Sequence, residues 1–286
     1  MKISYIAAHK KSQDYKRFSN YSSINEFDIC ENIESLKKDI KKCNEVLISD
    51  FISMKELFII FILQKLYKKK IILWALELYS IDFKSLITEY KYARLESRLK
   101  KYYSAISMIL RFILLKNLRY TELIVSSDER KNYIVDKIKC NKISVVYNYP
   151  MEIDDCSVVK TNRKINFEFD FYLCAGRINN VETLIKIADM ISKTNLKILC
   201  VGSEVKLLHP SILNINFVSS DQMILYIKKA QKCICLYENR RINHFYSASS
   251  KLLEYIHLNK IIITNSNFGV IKTLEKYKYE NFEVVS

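Results

Sequence analysis

Glycine and proline are almost missing from this chain, three and two residues among 286. It therefore holds neither the glycine-rich turn of dinucleotide-binding enzymes nor the phosphate loop of ATPases. No apolar run reaches the roughly 18 residues that a membrane-crossing helix needs. The best candidates are residues 57–63, which are too few, and 105–118, which Arg111 and Lys116 interrupt. The apolar stretch at the N-terminus is too short for a signal peptide, so a cytoplasmic location is expected. The eight cysteines include no CxxC pair, and no histidine stands at zinc spacing from them. Cys174, Cys200, Cys233 and Cys235 fall in apolar strand-like runs and read as reduced core thiols. Helix-turn-helix, zinc and RNP signatures are lacking too, so nucleic acid is not an expected partner.

What remains is an ordinary globular composition with a strong basic bias. Apolar residues make up 49% and charged residues 27%. The length exceeds a usual domain of about 100–200 residues, which predicts two domains. The net charge of +15 is unevenly spread. Residues 1–150 hold 28 Lys+Arg against 17 Asp+Glu, and residues 51–150 alone hold 19 against 9. Such a half suits an anionic surface, or it reflects a generally basic, solvated exterior.

Short apolar strands alternate with helices along the whole chain. Strands are predicted at residues 2–7, 45–49, 70–76, 123–126 and 143–147. Helices are predicted at 31–42, 54–67, 84–118 (long, broken once) and 129–139. Asn148-Tyr149-Pro150 interrupts this rhythm, and a polar aperiodic stretch follows at 151–164. The alternation resumes with strands at 169–175, 197–201, 215–218, 233–237 and 260–264. The helices between and after them are predicted at 181–193, 221–232 with Asp221 as N-cap, and 250–258. This pattern predicts an α/β protein with two doubly wound, Rossmann-like domains, 1–150 and 151–286, facing a cleft. Sheets of this kind bind ligands beyond the carboxyl ends of their strands.

Two segments at such ends could carry chemistry. The first is Cys174-Ala175-Gly176-Arg177. Gly176 permits a tight turn, and Arg177 offers a planar donor fork to a diphosphate. The second is 238–254, a polar loop leading through Ser249 and Ser250 into a helix, whose free N-terminal amides favour an anion. Lys251 and Glu254 stand three apart on one helix face, as a phosphate and ribose contact or as an ordinary ion pair behind a serine cap. Glu77 and Asp82 follow a strand, and His244 lies in the 238–249 loop; these three are candidate catalytic residues. Asp128, Glu129 and Arg130 begin a helix, where acids are expected from the helix dipole alone.

In order and spacing these segments resemble the donor-binding half of the large retaining glycosyltransferase family 4, of GT-B fold. The matching pieces are Ala175-Gly176-Arg177, then Ile198-Leu199-Cys200-Val201-Gly202. Next come Ser249-Ser250-Lys251-Leu252-Leu253-Glu254-Tyr255-Ile256 and Lys260-Ile261-Ile262-Ile263-Thr264. Softer matches are Leu123-Ile124-Val125-Ser126-Ser127 and Val145-Val146-Tyr147-Asn148-Tyr149-Pro150. The resemblance implies sugar transfer from a nucleotide-sugar donor, UDP- or GDP-linked, to a glycan or lipid-linked acceptor in bacterial surface polysaccharide synthesis. It further implies retention of configuration and a reaction without metal or other cofactor; an anionic membrane surface is a further partner suggested by the basic charge of residues 51–150. Gly176 and Arg177 would hold the diphosphate, Ser249, Ser250 and Lys251 would lie near it, and Glu254 would bind the ribose. The sequence departs from the family at three places. Tyr246 stands where the first acid of the family's glutamate pair is expected. No basic residue follows Arg177 within four positions, and the opening loop Ala7-Ala8-His9-Lys10 lacks glycine. Family members continue beyond the position of Ser286, so a short or truncated form is expected, with a non-catalytic GT-B-like binding protein as the alternative.

Overall fold

The computed structural model describes residues 1–5, 13–50, 52–92, 98–148, 169–203, 205–247 and 249–285. The opening loop 7–10, Tyr149, Pro150, the stretch 151–164 and Ala248 lie outside the described residues. The chain divides into two compact units, Met1–Met151 with Arg240–Asn243, and Glu152–Asn239 with His244–Ser286.

Among the described residues the first unit is built on six parallel strands: β1 (Lys2–Tyr5), β2 (Asp28–Cys30), β3 (Glu45–Ser49), β4 (Lys70–Trp74), β5 (Tyr120–Val125) and β6 (Lys142–Val145). Their order is β2-β1-β3-β4-β5-β6. The helices are α1 (Gln13–Ile24), α2 (Ile33–Asp39), α3 (Met54–Tyr67), α4 (Phe83–Tyr92), α5 (Arg98–Asn117) and α6 (Asp128–Ile134). β3 and β4 are apolar at nearly every position because their sheet is covered on both faces. Val46, Ile48, Ile71 and Leu73 are fully buried. The intervening Leu47, Ile72 and Trp74 meet Phe18 of α1, whose ring stacks on Trp74 at 5.5 Å.

The second unit repeats the plan with β7 (Phe171–Ala175), β8 (Lys197–Val201), β9 (Ile212–Ile215), β10 (Lys232–Cys235), β11 (Ile261–Asn265) and β12 (Phe282–Val285), in the order β12-β11-β10-β7-β8-β9. This is the order of the Rossmann fold. The helices are α7 (Val181–Ile191), α8 (Ser220–Lys229), α9 (Ile242–Phe245, which straddles the boundary between the units), α10 (Ser250–His257) and α11 (Phe268–Lys276). Strand alternation sorts the core into two layers. Leu173, Leu199, Cys233 and Ile262 pack with α8, α10 and α11. Cys174, Cys200, Ile234 and Ile263 pack with α7. The four cysteines are buried and unbridged, as expected.

Several boundaries differ from the sequence expectation. The strand expected at 215–218 is Ile212–Ile215 instead: Ile212 pairs with Ile198, while Phe217 is 73% exposed beyond the strand end. Asp221 is not the cap of α8. Ser219 is, in a capping box with Gln222. The helical stretch expected over 84–118 with one break is α4 and α5, in keeping with that expectation. α1, β2, α11 and β12 had not been expected; α1, β2 and β12 are polar or short, so their pattern carries little signal.

A chain this poor in glycine ends helices by other means. Ser53, Ser127, Asn180, Ser219, Ser249 and Asn267 cap N-termini by side-chain acceptance. At the other end lysine enters the left-handed region, with φ of 50° at both Lys68 and Lys278. That region costs a side-chain-bearing residue roughly 1–2 kcal/mol. Lys278→Gly should therefore stabilise the chain by about 0.5–1 kcal/mol, part of the relief being offset by the freer unfolded chain. Urea unfolding checks this; a lowered midpoint refutes it.

Candidate functional site

In the second unit the crossover reverses direction between β7 and β10, which are hydrogen-bonded neighbours. A doubly wound sheet opens a crevice at such a point. Gly176 and Arg177 leave the end of β7 there. Gly176 has φ of 75°, and a Cβ added to it would meet nothing within 4 Å. Open space at a left-handed position means the glycine serves the turn and leaves room beside the backbone. Arg177 is exposed and makes no side-chain bond to a described residue.

The chain leaving β10 is held by asparagines. Asn265 accepts from the Tyr237 amide at 3.1 Å and donates to the Tyr237 carbonyl at 2.8 Å. Asn267 donates to Asn239 Oδ1 at 2.9 Å and to the His244 carbonyl at 3.0 Å. Gly269 lets this loop approach α11: a Cβ there would sit 2.5 Å from the Ser247 amide nitrogen. Ser249 then caps α10 through the Leu252 amide at 3.3 Å, leaving the amides of Ser250 and Lys251 unbonded by described groups. Lys251 Nζ reaches Glu254 Oε2 at 3.0 Å. The Ser249 cap and this pair take the form of the plainer alternative. Yet Glu254 is only 8% exposed, which is unusual for an ordinary surface pair.

Tyr246 lies among aromatic rings, edge-on to Phe245 at 5.0 Å and to Phe268 at 5.6 Å, while those two stack at 5.1 Å. The His244 ring is buried and edge-on to Tyr237 at 5.7 Å. Burial pushes the Cys233 and Cys235 thiols up to about 12, so neither supplies a thiolate near neutral pH.

The first unit gathers a polar network at the carboxyl ends of β3, β4 and β5. Asp50, just past β3, is 2% exposed and accepts from the amides of Leu76 and Glu77, each at 3.1 Å. Glu77 accepts from Asn243 Nδ2 at 2.6 Å and lies 3.6 Å from the Arg130 guanidinium. The buried Arg130 also donates to the Leu76 carbonyl and, at 3.0 Å, to Ser126 Oγ. Arg241 pairs with Glu89 at 3.1 Å. Asp82 accepts from the Ser85 amide at 2.7 Å and the Tyr133 hydroxyl at 2.9 Å, ahead of α4. That is the geometry of a helix cap. The sequence pattern does not mark Asp50, Asn243, Asn267 or Gly269, although Asp50 follows a strand just as Glu77 does. Among the described residues no three His, Cys, Asp or Glu side chains gather as a metal site.

No protein-family model matches the sequence, and no curated protein is significantly similar to it. Solved structures share its fold. An alpha-glucosyltransferase in complex with UDP matches 99% of this chain and 82% of its own, at 10% identity and a TM-score of 0.52. The complex of an alpha-glucosyltransferase with UDP and a 13-mer DNA containing a central A:G mismatch matches 99% and 80%, at 11% identity and 0.52. Another, with UDP-glucose and DNA containing an abasic site, matches 94% and 80%, at 10% identity and 0.51. At such identities the likeness is one of fold. Two Rossmann-like α/β domains of the GT-B kind, expected from the sequence, are what this chain shares with them.

Two tests follow from this geometry. Burial pushes the Asp50 carboxyl up to about 6, against the bonds from Ser80, Leu76 and Glu77. The folded chain then holds this proton more tightly than the unfolded one. The resulting stability is fully present below the ordinary carboxylate value near 4 and is lost as pH rises through about 6, amounting to up to about 3 kcal/mol. Denaturant unfolding across that window should show the decline, and Asp50→Asn should flatten it; equal slopes for the two proteins refute the assignment. Gly269→Ala should cost about 1–3 kcal/mol by overpacking against the loop backbone, and an unchanged melting temperature refutes the close approach.

Proposed function

We propose that this chain transfers a sugar from a UDP- or GDP-linked donor to a glycan or lipid-linked saccharide acceptor, in surface polysaccharide synthesis on the inner face of the membrane. The observation that carries the reading is the exposed Arg177, which bonds to no described residue and is set by a left-handed Gly176 at the reversal point of a Rossmann sheet. An exposed guanidinium there offers its planar donor fork to a diphosphate.

In this reading Arg177 binds the donor diphosphate, and the amides of Ser250 and Lys251 at the start of α10, unbonded by described groups, add partial positive charge. As the sugar–phosphate bond breaks, these groups stabilise charge on the leaving diphosphate, so the step needs no metal in this scheme. Glu254 accepts from the ribose hydroxyls. Its burial favours a fixed carboxylate, and Lys251 orients it while also reaching the phosphates. Tyr246 presents a ring where the resembling family has an acid, so the sugar meets an apolar face there. Of the three catalytic candidates Glu77 keeps the most side-chain exposure, 29%, and we assign it to the acceptor hydroxyl. Asp82 and His244 are assigned to holding their segments. Retention of configuration rests on the family resemblance.

A second reading, a donor-binding protein without turnover, is favoured by that same Tyr246 in place of an acid. A mass-spectrometric screen of donors separates the two: bound nucleotide with no released or transferred sugar selects the second. For either, Arg177→Ala should weaken UDP or GDP binding by about 1.5–3 kcal/mol with folding unchanged, because the side chain bonds to no described residue. Unaltered affinity for both nucleotides in calorimetry overturns the assignment.

A further inference from the structure

Helices α3 and α5 pack against each other, and α5 also packs against α4. α3 buries Leu57, Ile60 and Leu63, yet Phe58, Ile62 and Leu66, one helical turn apart, face solvent. α5 buries Phe112 and Leu115 and exposes Ile106, Leu110 and Ile113. These six side chains are 40–66% exposed. Phe83 of α4, also exposed, sets its ring 5.6 Å from Phe112. Exposed apolar side chains clustered over adjacent helices mark an interaction surface.

The charge around this face has one sign. α5 contains no acid at all. The single acid of α3, Glu56, is committed to the Ser53 amide and the Tyr5 hydroxyl. The single acid of α4, Glu89, pairs with Arg241. The basic residues are placed to reach past the apolar stripe. Lys65 lies over the Phe61 ring and Lys116 over the Phe112 ring, at 5.4 and 6.0 Å. Lys68 and Arg119 stand exposed just past the ends of α3 and α5, and Lys70 is exposed at the start of β4. Long cationic side chains that cover apolar surface and keep the charged head free are suited to an interface between hydrocarbon and water.

We infer that the exposed face of α3 and α5 docks in the plane of an anionic lipid bilayer. Charge complementarity selects this occupant. A second copy of the chain would bring two basic faces together, at a cost in repulsion. A nucleic-acid duplex would meet the lysines but leave the apolar stripe in water. A bilayer with acidic headgroups accepts both, the stripe entering the headgroup–acyl boundary and the lysines staying among the phosphates. No helix among the described residues is long and apolar enough to cross a membrane, so the helices lie on the surface. This inference gives the membrane attachment of the proposed function a defined face, and it does not require the donor site to work.

Flotation of the full chain with phosphatidylcholine vesicles, with and without phosphatidylglycerol, tests it. Recovery should require the anionic lipid and fall as salt is raised. Lys65→Glu with Lys116→Glu should lower the partition coefficient by at least about tenfold. Leu66→Ser with Leu110→Ser, both at exposed positions, should weaken binding several-fold while thermal stability and nucleotide affinity stay unchanged. Equal recovery with neutral and anionic vesicles, or none with either, overturns the inference. So does a duplex-DNA complex or a dimer in sedimentation that the Leu66/Leu110 substitutions abolish while vesicle binding persists. Loss of nucleotide binding alone would count against the donor site and leave this face untouched.

Discussion

Parallel pairing governs everything else in this molecule. Each strand in both sheets runs the same way as its neighbours, so the chain returns through crossovers, and helices in these crossovers cover the sheet faces. The core strands must then be largely apolar on both sides, which concentrates polar side chains at the strand ends. All carboxyl ends of one sheet fall on one edge. Asp50, Glu77 and Ser126 in the first unit, and Arg177 and the loop after β10 in the second, collect at such edges for that reason. Their chemistry follows from where a parallel sheet allows polarity.

The shortage of glycine shapes how these edges are built. Serine and asparagine side chains hold helix starts and loops where backbone turns with glycine would otherwise serve, as Asn265 and Asn267 do for the chain leaving β10. Lysine takes left-handed positions at helix ends, a small strain accepted at Lys68 and Lys278. The three glycines that remain sit where no side chain fits well. Two have positive φ after a strand, and Gly269 lies against the backbone of Ser247. A loop fixed by side-chain hydrogen bonds is rigid without short turns, and such rigidity suits a site that must hold a ligand in one orientation.

The placement of the candidate site residues was partly legible in the sequence. Arg177 could be read because it follows a strand and a glycine, and Glu254 because it shares a helix face with Lys251. Both arguments use only local spacing. The Asp50–Glu77–Arg130–Asn243 network escaped them because its members are far apart in sequence. Asn243 meets Glu77 across a separation of 166 residues, and no periodicity records such a pairing. Asp82 looked like Glu77 from its position, but its carboxylate is engaged by the Ser85 amide and the Tyr133 hydroxyl. The exposed stripes of α3 and α5 were equally hidden. Both helices carry apolar residues on more than one face, so the pattern alone does not say which of them are covered.

By itself the sequence determined the rhythm: alternating strands and helices, the near-uniform apolar strands of a parallel sheet, the reduced core cysteines and the basic first half. These depend on local period and composition, which burial on both faces of a sheet writes directly into the chain. Only the tertiary structure decided strand order, the edges of β9 and α8, which acids are committed to capping, and which apolar residues remain in contact with water. Those depend on long-range pairing, where a single partner such as Ile198 for Ile212, or Tyr133 for Asp82, changes the role of a residue that its neighbours in sequence leave open.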